Sequence, residues 1–237
     1  MTNDEVKDLQ KELALLYRVA QSVYRLELDE VLKEIVDIAE EVTDADSVLV
    51  YIVDKDEREL VLRASKNPHA DLLQKVTMKL GEGITGWVAR QKKPVALAAG
   101  ASKDPRFKYF RSLPEDRFEA FLSVPIVSKR GVVGVINTQH KKAHEHSPME
   151  INLLEAVGKL VGGAVENAVL IEETLALKDA LEMRKLVEKA KGVLMKRRAV
   201  SEEDAYKIIQ KESMDTRKSI KEISEAILLM DKFKFKN

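Results

Sequence analysis

From Ser147 to about Arg198 the sequence holds a nearly unbroken helical period, and this restricts the architecture more than any other feature. Ser147-Pro148-Met149-Glu150 opens it with a serine cap, proline at the first helical position and glutamate at the third. Leu154, Val157, Val161, Ala164, Ala168, Ile171 and Leu175 then recur at alternating spacings of three and four, a heptad seam suited to a partner helix. Ala180, Met183, Val187, Ala190 and Leu194 form a second seam, out of phase with the first. No Gly/Pro linker separates the two, so the slip near 176–179 puts a domain boundary inside a stiff helical joint. Two alternative packings of such a joint would make it a switch.

The 237 residues suffice for one large or two ordinary domains, and 45% apolar content supplies a core and excludes wholesale disorder. Charged residues at 34% and aromatics at 5% suit long solvated helices better than a sandwich or propeller. Lys+Arg and Asp+Glu both number 40, which excludes a uniformly basic nucleic-acid binder. The balance is uneven along the chain. Residues 183–237 carry 15 Lys+Arg against 9 Asp+Glu, leaving 25 against 31 elsewhere, so a basic C-terminal unit is matched to an anionic partner. The chain has no cysteine, which excludes disulfides, Cys-ligated zinc or Fe–S sites, a thiolate nucleophile and a thioether-linked chromophore. The charged N-terminus lacks a signal-peptide core and no run of about 18 apolar residues exists, so a cytoplasmic protein without a membrane span is expected.

Ahead of the long helix, residues 5–26 have the period of an amphipathic helix, with Leu9, Leu13, Leu16, Ala20 and Val23 in a narrow stripe that also fits a partner helix. A helix over 30–42 follows, with Asp29 as its expected cap and Val31, Leu32, Ile35, Val36 and Ala39 inward. The period then changes to that of strands. Residues 47–53 and 59–64 form one hairpin, and 118–128 and 131–140 another. Between them, 66–117 holds two helical pieces and several Pro and Gly. This order indicates an α+β fold with an antiparallel sheet. After the long helix, Ser201-Glu-Glu-Asp204 caps a helix with Ala205, Ile208 and Ile209 inward. A last helix presents Ile220, Ile223, Ile227 and Leu228, and a basic tail begins at Lys232.

Few local motifs carry chemistry. Gly81-Glu-Gly83-Ile-Thr-Gly86 matches G-x-G-x-x-G, but a dinucleotide site also needs a parallel βαβ unit and an acidic residue ending its second strand. The next strand, 94–97, ends on no acid, so the glycines are read as tight backbone at a helix entry. His140, His144 and His146 could share a metal, but the polar surroundings favour a solvated loop, and no metal ligand set is assigned. Trp87, Phe107, Tyr109, Phe110 and Phe121 either line a small-molecule pocket or pack the core, packing being the plainer reading. There is no G-x-S-x-G, Walker A, H-E-x-x-H or kinase set, and no catalytic residue is assigned.

Taken together, Gly81-Glu-Gly-Ile-Thr-Gly-Trp-Val-Ala-Arg90, Lys93-Pro94-Val95, Asp104-Pro105-Arg106, Ser123-Val-Pro-Ile126 and Gly131-Val-Val-Gly-Val-Ile-Asn137 resemble a GAF domain. The resemblance implies a small-molecule sensory module with a central antiparallel sheet, often dimerised through terminal helices. Its bilin-binding and methionine-sulfoxide-reducing branches depend on cysteine, which this chain lacks. Of the cyclic-nucleotide signature, Asn137 and Lys141 are present. No cofactor is evident, which leaves an unidentified small molecule as the ligand, with Trp87, Phe107, Phe110 and Phe121 as candidate binding residues.

Further on, Arg184-Lys-Leu-Val-Glu-Lys-Ala-Lys-Gly-Val-Leu-Met195, Ser201-Glu-Glu-Asp-Ala-Tyr206, Ser213-Met-Asp-Thr-Arg-Lys218 and Ile220-Lys-Glu-Ile-Ser224 resemble an ANTAR domain, the RNA-binding module of transcription antitermination regulators. Ala190, Lys191, Gly192, Leu194, Met195, Ala205, Tyr206, Arg217 and Lys218 stand in matching places. Ser213 and Ser224 stand where alanine is usual, and Gln210-Lys211 where Leu-Arg is common. Gly192 in a helix interior costs about 1 kcal/mol relative to Ala and signals a close approach, read here as packing by the third helix, with Met195 packed likewise. Lys191, Arg197, Arg198, Tyr206, Arg217 and Lys218 are the candidate RNA contacts: cations for phosphates, and a ring for splayed bases.

The expected architecture is therefore an α+β GAF-like domain joined by a long coiled-coil helix to an all-α three-helix ANTAR-like domain. Its segments are an N-terminal coil 1–27, a sensory domain 28–172, a connector 173–182 and an RNA-binding domain 183–237. Leu9, Leu13, Leu16, Val157, Val161, Ala168 and Ile171 are its candidate dimer-coil residues. The resemblance implies a homodimer that binds paired leader-mRNA hairpins and responds to a small-molecule or protein signal. The alternatives are a DNA-binding regulator with a helix-turn-helix and, less favoured, an enzyme using the GAF pocket.

Overall fold

The structure, a computed structural model, describes residues 27–54, 58–66, 72–108 and 118–233, together with Ala14 and Tyr17. Leu9, Leu13, Leu16, Tyr109 and Phe110 lie outside the described residues. The chain divides into two compact units, Met1–Ile171 and Glu172–Asn237.

In the first unit, α1 (Leu28–Thr43) buries the stripe that its period announced, with Val31, Leu32, Ile35, Ile38 and Ala39 fully inside. Glu27, not Asp29, occupies the cap position, and Asp29 lies in the first turn, where its charge complements the positive helix end. Strands β1 (Ser47–Asp54), β2 (Glu59–Ser65), β3 (Thr77–Lys79), β4 (Val95–Leu97), β5 (Ala120–Ser128) and β6 (Gly131–His140) form one sheet in the order β3-β2-β1-β6-β5-β4. All of its pairings are antiparallel. Alternation sends Val48, Val50, Ile52, Leu122, Val124, Ile126 and Ile136 to one face, where α1 and the start of α3 (Pro148–Arg198) cover them. Leu49, Tyr51, Phe121 and Val135 point to the other face, toward α2 (Gly83–Gln91) and the segments around it.

Two glycines let α3 lie directly on the sheet. A Cβ on Gly158 would stand 2.5 Å from the Pro125 carbonyl oxygen, and one on Gly162 would overlap the Val127 carbonyl. The G-x-G-x-x-G segment is a tight entry to α2, as its composition suggests. Gly81 and Gly83 have φ of +92° and +67°, and the Gly81 N–H donates to the Gly86 carbonyl at 2.7 Å. Its flanking strands β3 and β4 each pair antiparallel, so the parallel unit of a dinucleotide site is not built there.

In the second unit, the end of α3 packs with α4 (Glu202–Thr216) and α5 (Ile220–Phe233). Val187, Ala190, Leu194, Ala205, Ile209 and Ile223 are the buried centre. The two seams of α3 thus belong to two cores. Leu154, Val157, Val161, Ala164 and Ala168 face the sheet, and Val187, Ala190 and Leu194 face α4 and α5. This corrects the coil assignment: Val157, Val161 and Ala168 are buried within their own chain and unavailable to a partner helix. It also accounts for the phase slip without invoking alternative packings. Of the described coil candidates only Ile171 is exposed, and every residue from 171 to 182 is exposed with it. No helix among the described residues is long and apolar enough to cross a membrane.

Candidate functional site

The face of the sheet turned away from α1 and α3 carries the polar residues of the first unit's interior. Ser123 on β5 donates its hydroxyl to Asn137 Oδ1 at 2.7 Å, and Asn137 Nδ2 donates to Thr85 Oγ1 on α2 at 2.8 Å. This buried chain ties β5, β6 and the glycine-entered helix together. Beside it Leu49, Tyr51, Met78, Phe107, Phe121 and Gln139 help line a cavity of about 30 Å³, which holds about one or two waters. Drug-sized ligands occupy pockets of roughly 300–1,000 Å³, so this one is too small for such a ligand as it stands. Gln139 Oε1 is buried with no hydrogen-bond partner among the described residues. Among the described lining residues the only charged side chain is Lys108, whose Nζ is 2.6 Å from Glu82 Oε1. That hydrogen bond, and another from the Lys79 N–H, hold the Glu82 carboxyl below its usual range.

Phe107 and Phe121 therefore meet at the cavity as expected, but Trp87 does not line it. The Trp87 ring lies under the Arg106 guanidinium, 4.9 Å from centroid to Cζ. Arg106 is fixed there by a two-pronged bond to Asp104, Nε to Oδ1 at 2.8 Å and Nη2 to Oδ2 at 2.7 Å. The same bond holds the Asp104 carboxyl below its usual range.

In the second unit the candidate RNA residues separate into two groups. Lys191 and Arg197 are committed to the fold. Lys191 Nζ bonds Glu188 Oε1 at 2.8 Å and Glu202 Oε1 at 2.7 Å, which raises its pKa and keeps it cationic. Arg197 Nε donates to Asp231 Oδ1 at 2.7 Å, tying α3 to α5. Arg198, Tyr206, Arg217 and Lys218 are exposed, with Arg217 in the left-handed conformation that ends α4. Gly192 is also exposed, and a Cβ there would meet nothing within 4 Å. The expected packing of a helix against it is thus corrected: no described residue approaches. Met195 is likewise exposed rather than packed. Lys185, Lys189, Gly192 and Lys196 stand at helical spacing on one exposed face of α3. The three lysines lie outside the motif residues, and their i, i+4, i+11 spacing is the sequence signal for this face.

Residues 25–166 match the GAF domain family and residues 175–228 the ANTAR domain family. The chain belongs to the GAF domain family and carries an ANTAR domain behind it. The crystal structure of the GAF domain from an Acinetobacter phosphoenolpyruvate-protein phosphotransferase superposes with a TM-score of 0.61 at 26% identity, covering 72% of this chain and 98% of that one. A phosphoenolpyruvate-dependent phosphotransferase system protein of Escherichia coli (strain K12) is 41% identical over 87 residues, 37% of this chain and 12% of that protein. The transcriptional regulatory protein PdtaR of Mycobacterium tuberculosis (strain ATCC 25618 / H37Rv) is 35% identical over 102 residues, 43% of this chain and 50% of that protein. The chain thus spans half or less of these curated relatives.

Within the ANTAR domain the two serines that stand in place of alanine both serve the backbone. Ser213 Oγ donates to the Lys218 carbonyl at 2.5 Å across the α4–α5 turn, and buried Ser224 Oγ donates to the Ile220 carbonyl at 2.7 Å. Both hydroxyls are satisfied inside the domain, so the substitutions are accommodated by the fold.

Proposed function

We propose that this GAF–ANTAR protein is a signal-responsive transcription antitermination regulator, acting in the cytoplasm. Its ANTAR domain binds paired hairpins in nascent leader mRNA and prevents formation of a terminator. The observation that carries this reading is the bare turn at Gly192, open to solvent and flanked on its own face by Lys185, Lys189 and Lys196. A helix that forgoes a side chain at an exposed position gives up about 1 kcal/mol of helix stability for no internal contact. It gains a site where a ligand can reach the backbone, with three cations around it to meet phosphates. Exposed Tyr206, Arg198, Arg217 and Lys218 add a stacking ring and further charge.

Two hairpins are best engaged by two linked domains, because the second contact then forms at high effective concentration. A homodimer supplies them. Its seam is the heptad Leu160, Gly163, Asn167, Leu170, Thr174, Leu177 and Leu181, exposed except for half-buried Leu170 and one face over from the stripe that packs on the sheet. The GAF domain holds this dimer or senses a small-molecule or protein signal. Regulation by binding requires no bond to be made or broken, and the described cavity residues offer no nucleophile with its base.

The test is binding of the full chain to a two-hairpin leader RNA, a one-hairpin RNA and duplex DNA across a salt series. Preference for two hairpins is expected, with a salt slope of about −0.7 per phosphate contact. A Lys185→Glu/Lys189→Glu variant is expected to lose at least tenfold in affinity and to show a shallower slope. Preference for duplex DNA would overturn the RNA reading in favour of helix-turn-helix recognition. Unchanged affinity of the variant would remove the Gly192 face from the interface.

A further inference from the structure

We propose that His140, His144 and His146 form a binding site for one divalent transition-metal ion, zinc being the ion their donor set fits best. The sequence suggested a solvated loop here, and the structure corrects it: His140 and His146 are buried, with relative exposures of 7% and 8%. His140 ends β6. His144 is pinned by its backbone N–H, which donates to the Ala98 carbonyl at 2.9 Å just beyond β4. His146 immediately precedes Ser147, whose hydroxyl and N–H form the capping box of α3 with Glu150. Three rings from the end of the sheet and the start of a helix are thereby held together by backbone that is itself well bonded.

Their geometry approaches that of a coordination sphere. One donor atom from each residue lies within 4.8 Å of the other two. With Zn–N bonds of about 2.0–2.1 Å, imidazoles sharing a tetrahedral ion have donor nitrogens about 3.4 Å apart and ring centroids about 5 Å apart. The centroids here stand 4.0, 4.9 and 5.6 Å apart. His140 and His144 stack nearly parallel, at 10°, so metal binding requires one of these rings to turn and aim its nitrogen at the shared ion.

The polar bookkeeping points the same way. Among the described residues His140 Nε2 and both ring nitrogens of His146 are buried without a close hydrogen-bond partner, the Leu97 backbone making only a weak contact with His146. Burial, with the charge of His144 next in weight, holds both rings below the ordinary histidine pKa, His146 down to about 4, although the Leu97 backbone slightly favours its charged form. Glu150 Oε1 stands 2.9 Å from His144 Nε2, the carboxylate that orients a metal-bound imidazole. Three nitrogen donors without thiolate select zinc, copper, nickel or ferrous iron over calcium and magnesium. The fourth position remains for water or an exogenous ligand.

The test uses the tag-free chain of residues 1–237 stripped with chelator and titrated with Zn²⁺, followed by metal analysis after desalting and by thermal unfolding. One retained ion per chain and a zinc-dependent rise in midpoint are expected. Co²⁺ is expected to give the intense visible absorption of a four-coordinate site. His144→Ala removes the least buried ligand and should lower zinc affinity at least tenfold and abolish the midpoint shift, with unchanged circular dichroism. His69→Gln, at the fourth histidine of the chain, should leave both unchanged. No zinc retained by the wild type, or equal retention and equal midpoint shift in His144→Ala, would overturn the site.

Discussion

Gly162 and Gly192 lie on the same helix and illustrate opposite reasons for omitting a side chain. At Gly162 the Val127 carbonyl occupies the place of a Cβ, so Gly162→Ala must push α3 off β5. The expected loss is about 1–3 kcal/mol, read as a lower midpoint in urea or heat. At Gly192 the space is empty, so Gly192→Ala should stabilise the ANTAR domain by up to about 1 kcal/mol while weakening hairpin binding. Stabilisation with full RNA affinity would show that the bare turn is no contact point. The sequence showed that these positions were glycines in a helix but not what stood opposite them. Local chemistry was legible at two helix starts and misplaced at a third: the Ser147–Glu150 box and the Ser201 cap, whose hydroxyl accepts the Asp204 N–H at 3.1 Å, follow from four consecutive residues, whereas α1 is capped at Glu27 rather than Asp29. The partners of Lys191 and Arg197 were not legible, because Glu202 and Asp231 arrive from other helices. Nor does the sequence alone decide between pocket and packing for Trp87, whose ring lies under Arg106 from a separate segment.

At the scale of an element, α3 shows how a correct period can be given the wrong partner. The stripe from Leu154 to Ala168 has true heptad spacing, yet it packs on a sheet of its own chain. Spacing reports that a face is buried; only tertiary structure reports against what. Strand hairpins suffered no such ambiguity, since a period of two joined by a short polar turn leaves one pairing, and both hairpins stand within two residues of their expected bounds. The coil prediction therefore moves to the exposed seam. Leu177→Glu with Leu181→Glu, at sites 72% and 52% exposed, should yield a monomer in sedimentation without loss of helical signal. A persisting dimer would place the interface elsewhere. The start of α4 gives a second element-level expectation. Hydrogen bonding to Lys191 lowers the Glu202 pKa below 4.5, so its stabilising contribution is complete above that value and is lost as pH falls through the lower folded one. Thermal unfolding of Glu202→Gln should accordingly depend less on pH than the parent does below pH 4.5; equal dependence would remove this pair from the acid response.

For the molecule as a whole, the decisive fact is that one helix serves two separate cores. Leu154 is completely buried among α1, α3 and the sheet, and Ile209 is completely buried among α3, α4 and α5. Between them residues 171–182 are exposed and belong to neither cluster. Within one chain no core packs on that stretch, and helix propensity contributes only tenths of a kcal/mol per residue, too little to make the two cores one cooperative unit. Unfolding should thus show two transitions. Trp87, the single tryptophan, packs against the sheet core, so its fluorescence reports the first unit alone, whereas far-ultraviolet circular dichroism reports both. Leu154→Ala should cost about 2–5 kcal/mol and lower the fluorescence transition, leaving the other in place. Ile209→Ala should do the reverse, moving a circular-dichroism transition that Trp87 does not sense. A single transition shifted by either substitution in both signals would mean that the exposed stretch couples the cores after all, and that a signal received in the GAF domain could reach the RNA face through folding stability itself.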